Sequence, residues 1–219
     1  GQCYPQAREK TPPSSKPFAL PPPNRDMRRV YAYLMKHRHI DRDVITHFAR
    51  AGVLYEDETY HNVVFVGKDE TGTARHAHKR STNSIGKAFR QNVLGSDPRY
   101  SFHHLGRDGS LFVFEAPIDL LSYLTLYPEE WKEHSYVACC GTSPIPVLTM
   151  LQRMKTPQAV YLCLDNDRAG HEASLKIAEQ VGERFHIASD RLIPGQKDWN
   201  EDLCVLREAP KQGMAMGMR

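Results

Sequence analysis

From residue 110 onward the chain alternates short apolar runs with helix-length stretches. SLFVFE precedes PIDLLSYLTLY, SYVACC precedes SPIPVLTMLQRM, AVYLCL precedes RAGHEASLKIAEQVG, and RFHIAS precedes WNEDLCVLRE. A strand that is apolar at successive positions has both faces covered. A helix-length segment between two such strands joins them in parallel. The rhythm therefore predicts an α/β unit over residues 109–210, a parallel sheet with helices on both faces. Pro117 suits the first turn of the helix that follows the first strand, where its missing N–H costs nothing.

Residues 24–108 have a different period. NRDMRRVYAYLMKHR and DRDVITHFARAG each begin at a polar residue and carry apolar side chains at helical spacing, which predicts a helical hairpin. HNVVFVG, TARHAHKRST and YSFHHL then read as strands separated by KDETG and GSDPR turns. This predicts a small α+β domain of two helices and antiparallel strands. Residues 1–23 contain TPPSSKPFALPPP, and proline at that density excludes helix and most sheet pairing, so they read as a linker or extended arm. Residues 211–219 read as a disordered tail, and the first residues as the cut edge of a longer protein.

No apolar run approaches the ~18 residues of a membrane span, and no signal peptide is visible. The five cysteines (Cys3, Cys139, Cys140, Cys163, Cys204) form no C-x-x-C pair, which predicts reduced thiols in a cytoplasmic protein and no zinc site. The charge is uneven: residues 24–108 carry a net +5 and residues 109–219 a net −4. One reading is a phosphate-attracting front and a metal-holding back, and the other is an ordinary solvated surface.

Acids stand where the sheet would present a ligand. Open parallel sheets bind ligands beyond the carboxyl ends of their strands, where strand order reverses. The first strand ends at Glu115, with Asp119 four residues on. The third ends at Asp165, with Asp167 beyond it, and Asp198 follows the fourth. In the order 2-1-3-4 the first and third strands are neighbours, so Glu115, Asp165 and Asp167 would converge within a few ångströms. Converging carboxylates stay ionised only around a cation, and oxygen-only ligands suit Mg²⁺, with Mn²⁺ as the alternative. Such ions serve phosphoryl transfer or phosphodiester hydrolysis. A calcium loop starting at Asp165 is excluded, because its twelfth position is Lys176 rather than Glu. Taken alone, Asp165 and Asp167 also fit a helix N-cap pair.

Glu at a strand end followed by D-x-D-x-x-G after a later strand resembles the Toprim fold of bacterial-type primases, type IA and II topoisomerases and some nucleases. FEAPIDLLS, CCGTS, LDNDRAG and KDWNEDL carry the resemblance, and Asn200 stands where primases more often have a second acid. The segment before it resembles an uncharacterised domain found ahead of Toprim in plasmid and conjugative-element proteins. The resemblance implies that Glu115 acts as general acid/base at a 3′-oxygen and that Asp165, Asp167 and Asp198 hold Mg²⁺, with Asp119 as a further candidate. Arg75, His76, His78, Lys79 and Arg80 on an alternating strand are candidate contacts to a nucleic-acid backbone, as are Arg168 and Lys197 beside the acids. The alternative for the strand is plain exposure. Tyr31, Tyr33, Phe65, Tyr100 and Phe102 read as core. The implied function is primase-like nucleotidyl transfer on DNA, with nucleotides as co-substrate and other replication or conjugation proteins as partners. A Toprim-type nuclease and a metal-dependent binding module are the alternatives.

Overall fold

The computed structural model describes residues 17–83 and 89–209. Most of the expected arm, Cys3 and the expected tail over 211–219 lie outside the described residues. The part of the arm that is described, residues 17–23, lies along the protein. The Tyr55 hydroxyl donates to the Pro21 carbonyl at 2.6 Å, and Phe18 packs on the cluster of Val64, Val66 and Ala77.

Two sheets form. The smaller is antiparallel, with β1 (Leu54–Glu56), β2 (Val63–Lys68), β3 (Ala74–Arg80) and β4 (Arg90–Asn92) in sequential order. The larger contains β5 (His103–His104), β6 (Ser110–Phe114), β7 (Ser135–Ala138), β8 (Ala159–Leu162) and β9 (Ser189–Arg191), in the order β5-β7-β6-β8-β9. Strands β6 to β9 pair in parallel, and β5 adds antiparallel to the β7 edge. The four parallel strands thus follow the expected order 2-1-3-4, and strand order reverses at β6. The helices are α1 (Arg28–Ala32), continued by a π-helical turn (Tyr33–His37), then α2 (Arg42–Arg50), α3 (Pro117–Leu126), α4 (Ile145–Arg153), α5 (Arg168–Phe185) and α6 (Trp199–Glu208).

Side chains alternate across a strand, so each apolar strand feeds two layers. Leu111 and Val113 of β6 pack with Val147 and Leu151 of α4 and with Ile177 and Val181 of α5. Phe114, the neighbour of opposite phase, packs with Leu120 and Leu124 of α3 and Leu203 of α6. The same second cluster takes in Val30, Ile45 and Phe48 from the first two helices and Phe65 from β2. One core therefore runs from the antiparallel sheet to the parallel one.

Two expectations about strands are corrected, and one strand was not foreseen. YSFHHL contributes only His103–His104, and these join the larger sheet rather than the small antiparallel one. The fourth parallel strand is Ser189–Arg191, not RFHIAS, because α5 continues to Phe185 and ends at His186 with a left-handed φ of 56°. Strand β4 (Arg90–Asn92) had no apolar signal: all three of its residues are exposed.

Candidate active site

The acids sit at the carboxyl end of the parallel sheet, each fixed by its element. Glu115 directly follows β6, and its carbonyl accepts from Gly141 N–H at 3.2 Å. Asp119 lies in the first turn of α3 and is buried. Asp167 is the N-cap of α5, accepting from Gly170 N–H at 2.8 Å, and Asp198 is the N-cap of α6, accepting from Glu201 N–H at 2.8 Å. Asp165 stands between β8 and α5. A Cβ at position 170 would lie 2.1 Å from the Asp165 carbonyl oxygen, so only glycine lets α5 start this close to the strand end. Arg191 of β9 locks the same loop, donating from Nη2 to the Asp165 carbonyl at 3.0 Å and from Nη1 to the Gly170 carbonyl at 2.8 Å.

All five acids line one cavity of about 310 Å³, together with Arg38, Arg80, Arg90, Lys197 and Asn200. Glu115, Asp165 and Asp167, expected to converge, share this cavity without forming a closed ligand cluster. Among the described residues, no group of three or more His, Cys, Asp or Glu side chains is placed to hold a metal ion as it stands. The cause is visible in the contacts. Asp167 and Asp198 each cap a helix, and Asp119 accepts from Asn200 N–H at 3.3 Å, so one oxygen of each of these three carboxylates is held by a backbone donor.

Electrostatics record the crowding. Burial raises Asp165 to about 7, helped by the Glu115, Asp198 and Asp167 charges, and its Oδ1 is buried without a hydrogen-bond partner. Burial also raises Glu115, opposed by Arg90, whose guanidinium stands 3.9 Å away. Asp119 is raised well above the usual carboxylate range, first by burial and then by Asp198 and Asp165. An oxygen-only donor set with an orphaned, buried carboxylate oxygen fits a hard divalent cation.

The expected phosphate contacts separate. Arg80 and Lys197 line the cavity. Lys79 is half-exposed on β3, opposite Gln91. Arg75 is paired with Asp69 at 2.6 Å. Arg168, with 92% of its side chain exposed, pairs with Glu172 and does not line the cavity. His76 and His78 are corrected: they are 1% and 5% exposed. Strand β3 is interior, paired on both edges, and both its faces are covered from His76 to His78. Burial pulls His76 down to about 4, so it is neutral at pH 7 and offers no charge to a phosphate. His78 Nδ1–H donates to Asn92 Oδ1 at 2.7 Å, and the ring borders a smaller cavity of about 220 Å³ that Glu115 and Arg90 share.

Arg38, Arg90 and Asn200 are site residues that sequence reasoning did not assign. Arg38 and Arg90 sit in no motif. Asn200 was visible as the odd residue of KDWNEDL, but its partners were not.

This arrangement has a counterpart among known families. Residues 112–203 match the family described as Toprim-like, and residues 32–108 match the family described as Protein of unknown function (DUF3991). The chain carries a Toprim-like domain behind a domain of that second family. Over 153 residues it is 30% identical to the Bacillus anthracis protein named Uncharacterized protein pXO2-78, a match covering 65% of this chain. The chain spans 44% of that relative's length. Its fold is similar to that of the primase fragment of the bacteriophage T7 primase-helicase protein, with a TM-score of 0.59 and 18% identity, over 78% of this chain and 68% of that one. The E. coli primase catalytic core gives 0.55 and 16%, over 83% and 69%. The DnaG primase catalytic domain bound to ssDNA gives 0.54 and 16%, over 83% and 68%. At such identities the likeness is one of fold, and the fold is primase-like.

Proposed function

We propose that this chain carries the catalytic part of a Mg²⁺-dependent, primase-like nucleotidyl transferase that acts on DNA, within a replication or transfer protein of a mobile element. The observation that carries this reading is the shared cavity: carboxylates from the ends of β6 and β8 and from the starts of α3, α5 and α6 meet Arg80 and Arg90 of the antiparallel sheet around one space. Primase structures of the same fold support it, one with single-stranded DNA and one, from phage T7, with an RNA/DNA hybrid and dTTP.

The residues divide the work by chemistry. Asp165, Asp167 and Asp198, with Asp119 behind them, would hold a divalent ion, Mg²⁺ or Mn²⁺. When bound, the ion would neutralise their charge and act as Lewis acid toward phosphate oxygens. Glu115, half-buried and raised, is placed to take the proton from an attacking 3′-hydroxyl. Arg80, Arg90 and Lys197 bring positive charge for phosphate oxygens.

Incubation with single-stranded DNA, labelled nucleotides and Mg²⁺ or Mn²⁺ tests the reading. Labelled primers should form, and Glu115→Gln should lower their yield by about a hundredfold or more while DNA binding is retained. Shortening of the DNA strand without nucleotide incorporation would instead show a nuclease. Binding with neither product would leave a metal-dependent binding module.

A further inference from the structure

Tyr33 reads as core in the sequence, and its ring is packed there at 5% exposure. Its hydroxyl has a second role. It accepts from Arg38 Nε at 2.9 Å and from Arg80 Nε at 3.0 Å. Arg38 follows the π-helical turn that begins at Tyr33, an element frequent at functional sites, and Arg80 ends β3. Two guanidinium cations from distant parts of the chain thus converge on one neutral oxygen.

Neither arginine forms an ion pair with a carboxylate among the described residues. Arg38 is held further by Asn200, donating from Nη1 to Oδ1 at 3.0 Å, and lies 5.4 Å from the centre of the Tyr33 ring. Asn200 is itself anchored, its Nδ2 donating to the Arg38 carbonyl and to Ser122 Oγ, both at 2.9 Å. Both Nη groups of Arg80 and Nη2 of Arg38 make no hydrogen bond among the described residues, and both side chains line the carboxylate cavity. Like charges held this close repel unless an anion joins them. An aspartate in place of Tyr33 would orient them too, but it would consume their charge. A phenol orients both and leaves the charge free.

We propose that Tyr33 is a positioning residue that sets Arg38 and Arg80 as a paired guanidinium cradle for a phosphate oxyanion. This rests on the nucleotidyl-transfer reading only for the identity of the ligand, not for the existence of the cradle. Planar guanidinium groups take phosphate oxygens through paired N–H donors, so their orientation matters as well as their charge. The phosphate comes from a nucleoside triphosphate or from the backbone of a nucleic-acid strand.

The test uses equilibrium binding to the full chain, with Mg²⁺ held constant at low salt. The probes are a fluorescent non-hydrolysable nucleoside triphosphate and a labelled single-stranded oligonucleotide, and the variants are Tyr33→Phe, Arg80→Lys and the double variant. Tyr33→Phe should weaken one or both probes about tenfold, the loss of an oriented charge-assisted contact. Arg80→Lys, which keeps the charge but loses the fork, should weaken the same probe, and the double variant should be little worse than either single one. Loss confined to the triphosphate assigns the nucleotide, and loss confined to the oligonucleotide assigns the strand. A Tyr33→Phe protein that melts like its parent and binds both probes unchanged overturns the proposal. If that variant melts well below its parent, Arg80→Lys decides, and unchanged binding of both probes overturns the proposal equally. Because the readout is affinity, a failure to find primer synthesis counts against the proposed function and is read separately.

Discussion

Asp165 pays for its position with solvent and with its neighbours' charge. Its carboxyl is raised to about 7, first by burial, from an unfolded value near ~3.9. The folded protein therefore keeps a proton that the unfolded chain releases, and stability falls as pH rises from about 4 to about 7. Asp165→Asn removes the charge that has to be buried. Without divalent ions, thermal melts should show the variant more stable than its parent by roughly 1–2 kcal/mol above pH 7, after allowance for solvent screening, with the advantage gone below about pH 4. An advantage that grew toward low pH would contradict this. The acids themselves were legible, because they stand at strand ends. The neutrality of His76 was not, since alternation in TARHAHKRST gives phase but not what covers each face.

At the scale of elements, helix starts and metal donors compete for the same side chains. Asp198 caps α6 through Glu201 N–H, and asparagine can make the same bond without the charge. Asp198→Asn should therefore hold stability within about 0.5 kcal/mol while weakening Mn²⁺ binding about tenfold, whereas Asp198→Ala should also lose roughly 1 kcal/mol of helix capping. Melting curves and Mn²⁺ titrations of the two variants separate the roles, and equal Mn²⁺ affinity in parent and Asp198→Asn would remove Asp198 from the ion site. The parallel strands were legible from three apolar runs and the helix-length spacers between them, while their order 2-1-3-4 was expected only as the common one and is borne out by the pairing. Strands β4 and β5 were not. Arg90–Asn92 is wholly exposed and has no apolar period, and His103–His104 is two residues long and owes its pairing to the β7 edge. Arg38 and Arg90 escaped notice for the same reason: tertiary contacts, not local sequence, bring them to the cavity.

Across the whole molecule, a change of period near residue 108 suggests two bodies, yet Phe65, Phe102, Phe114 and Tyr136 belong to one cluster. Calorimetry should show one cooperative transition for the full chain, and residues 109–209 alone should expose that cluster and bind a hydrophobic dye. Two separate transitions would show independent halves. No helix among the described residues is long and apolar enough to cross a membrane. The cavity owes its chemistry to both sheets, with carboxylates from one and guanidinium groups from the other. The proposed chemistry requires those carboxylates to share a divalent ion, and anomalous scattering from a Mn²⁺-soaked crystal tests that directly. It should show a peak between Glu115 and the Asp165–Asp167 loop, with Asp167 or Asp198 turned from its helix cap toward it. An empty cavity at saturating Mn²⁺, or ions bound only elsewhere on the surface, would contradict it.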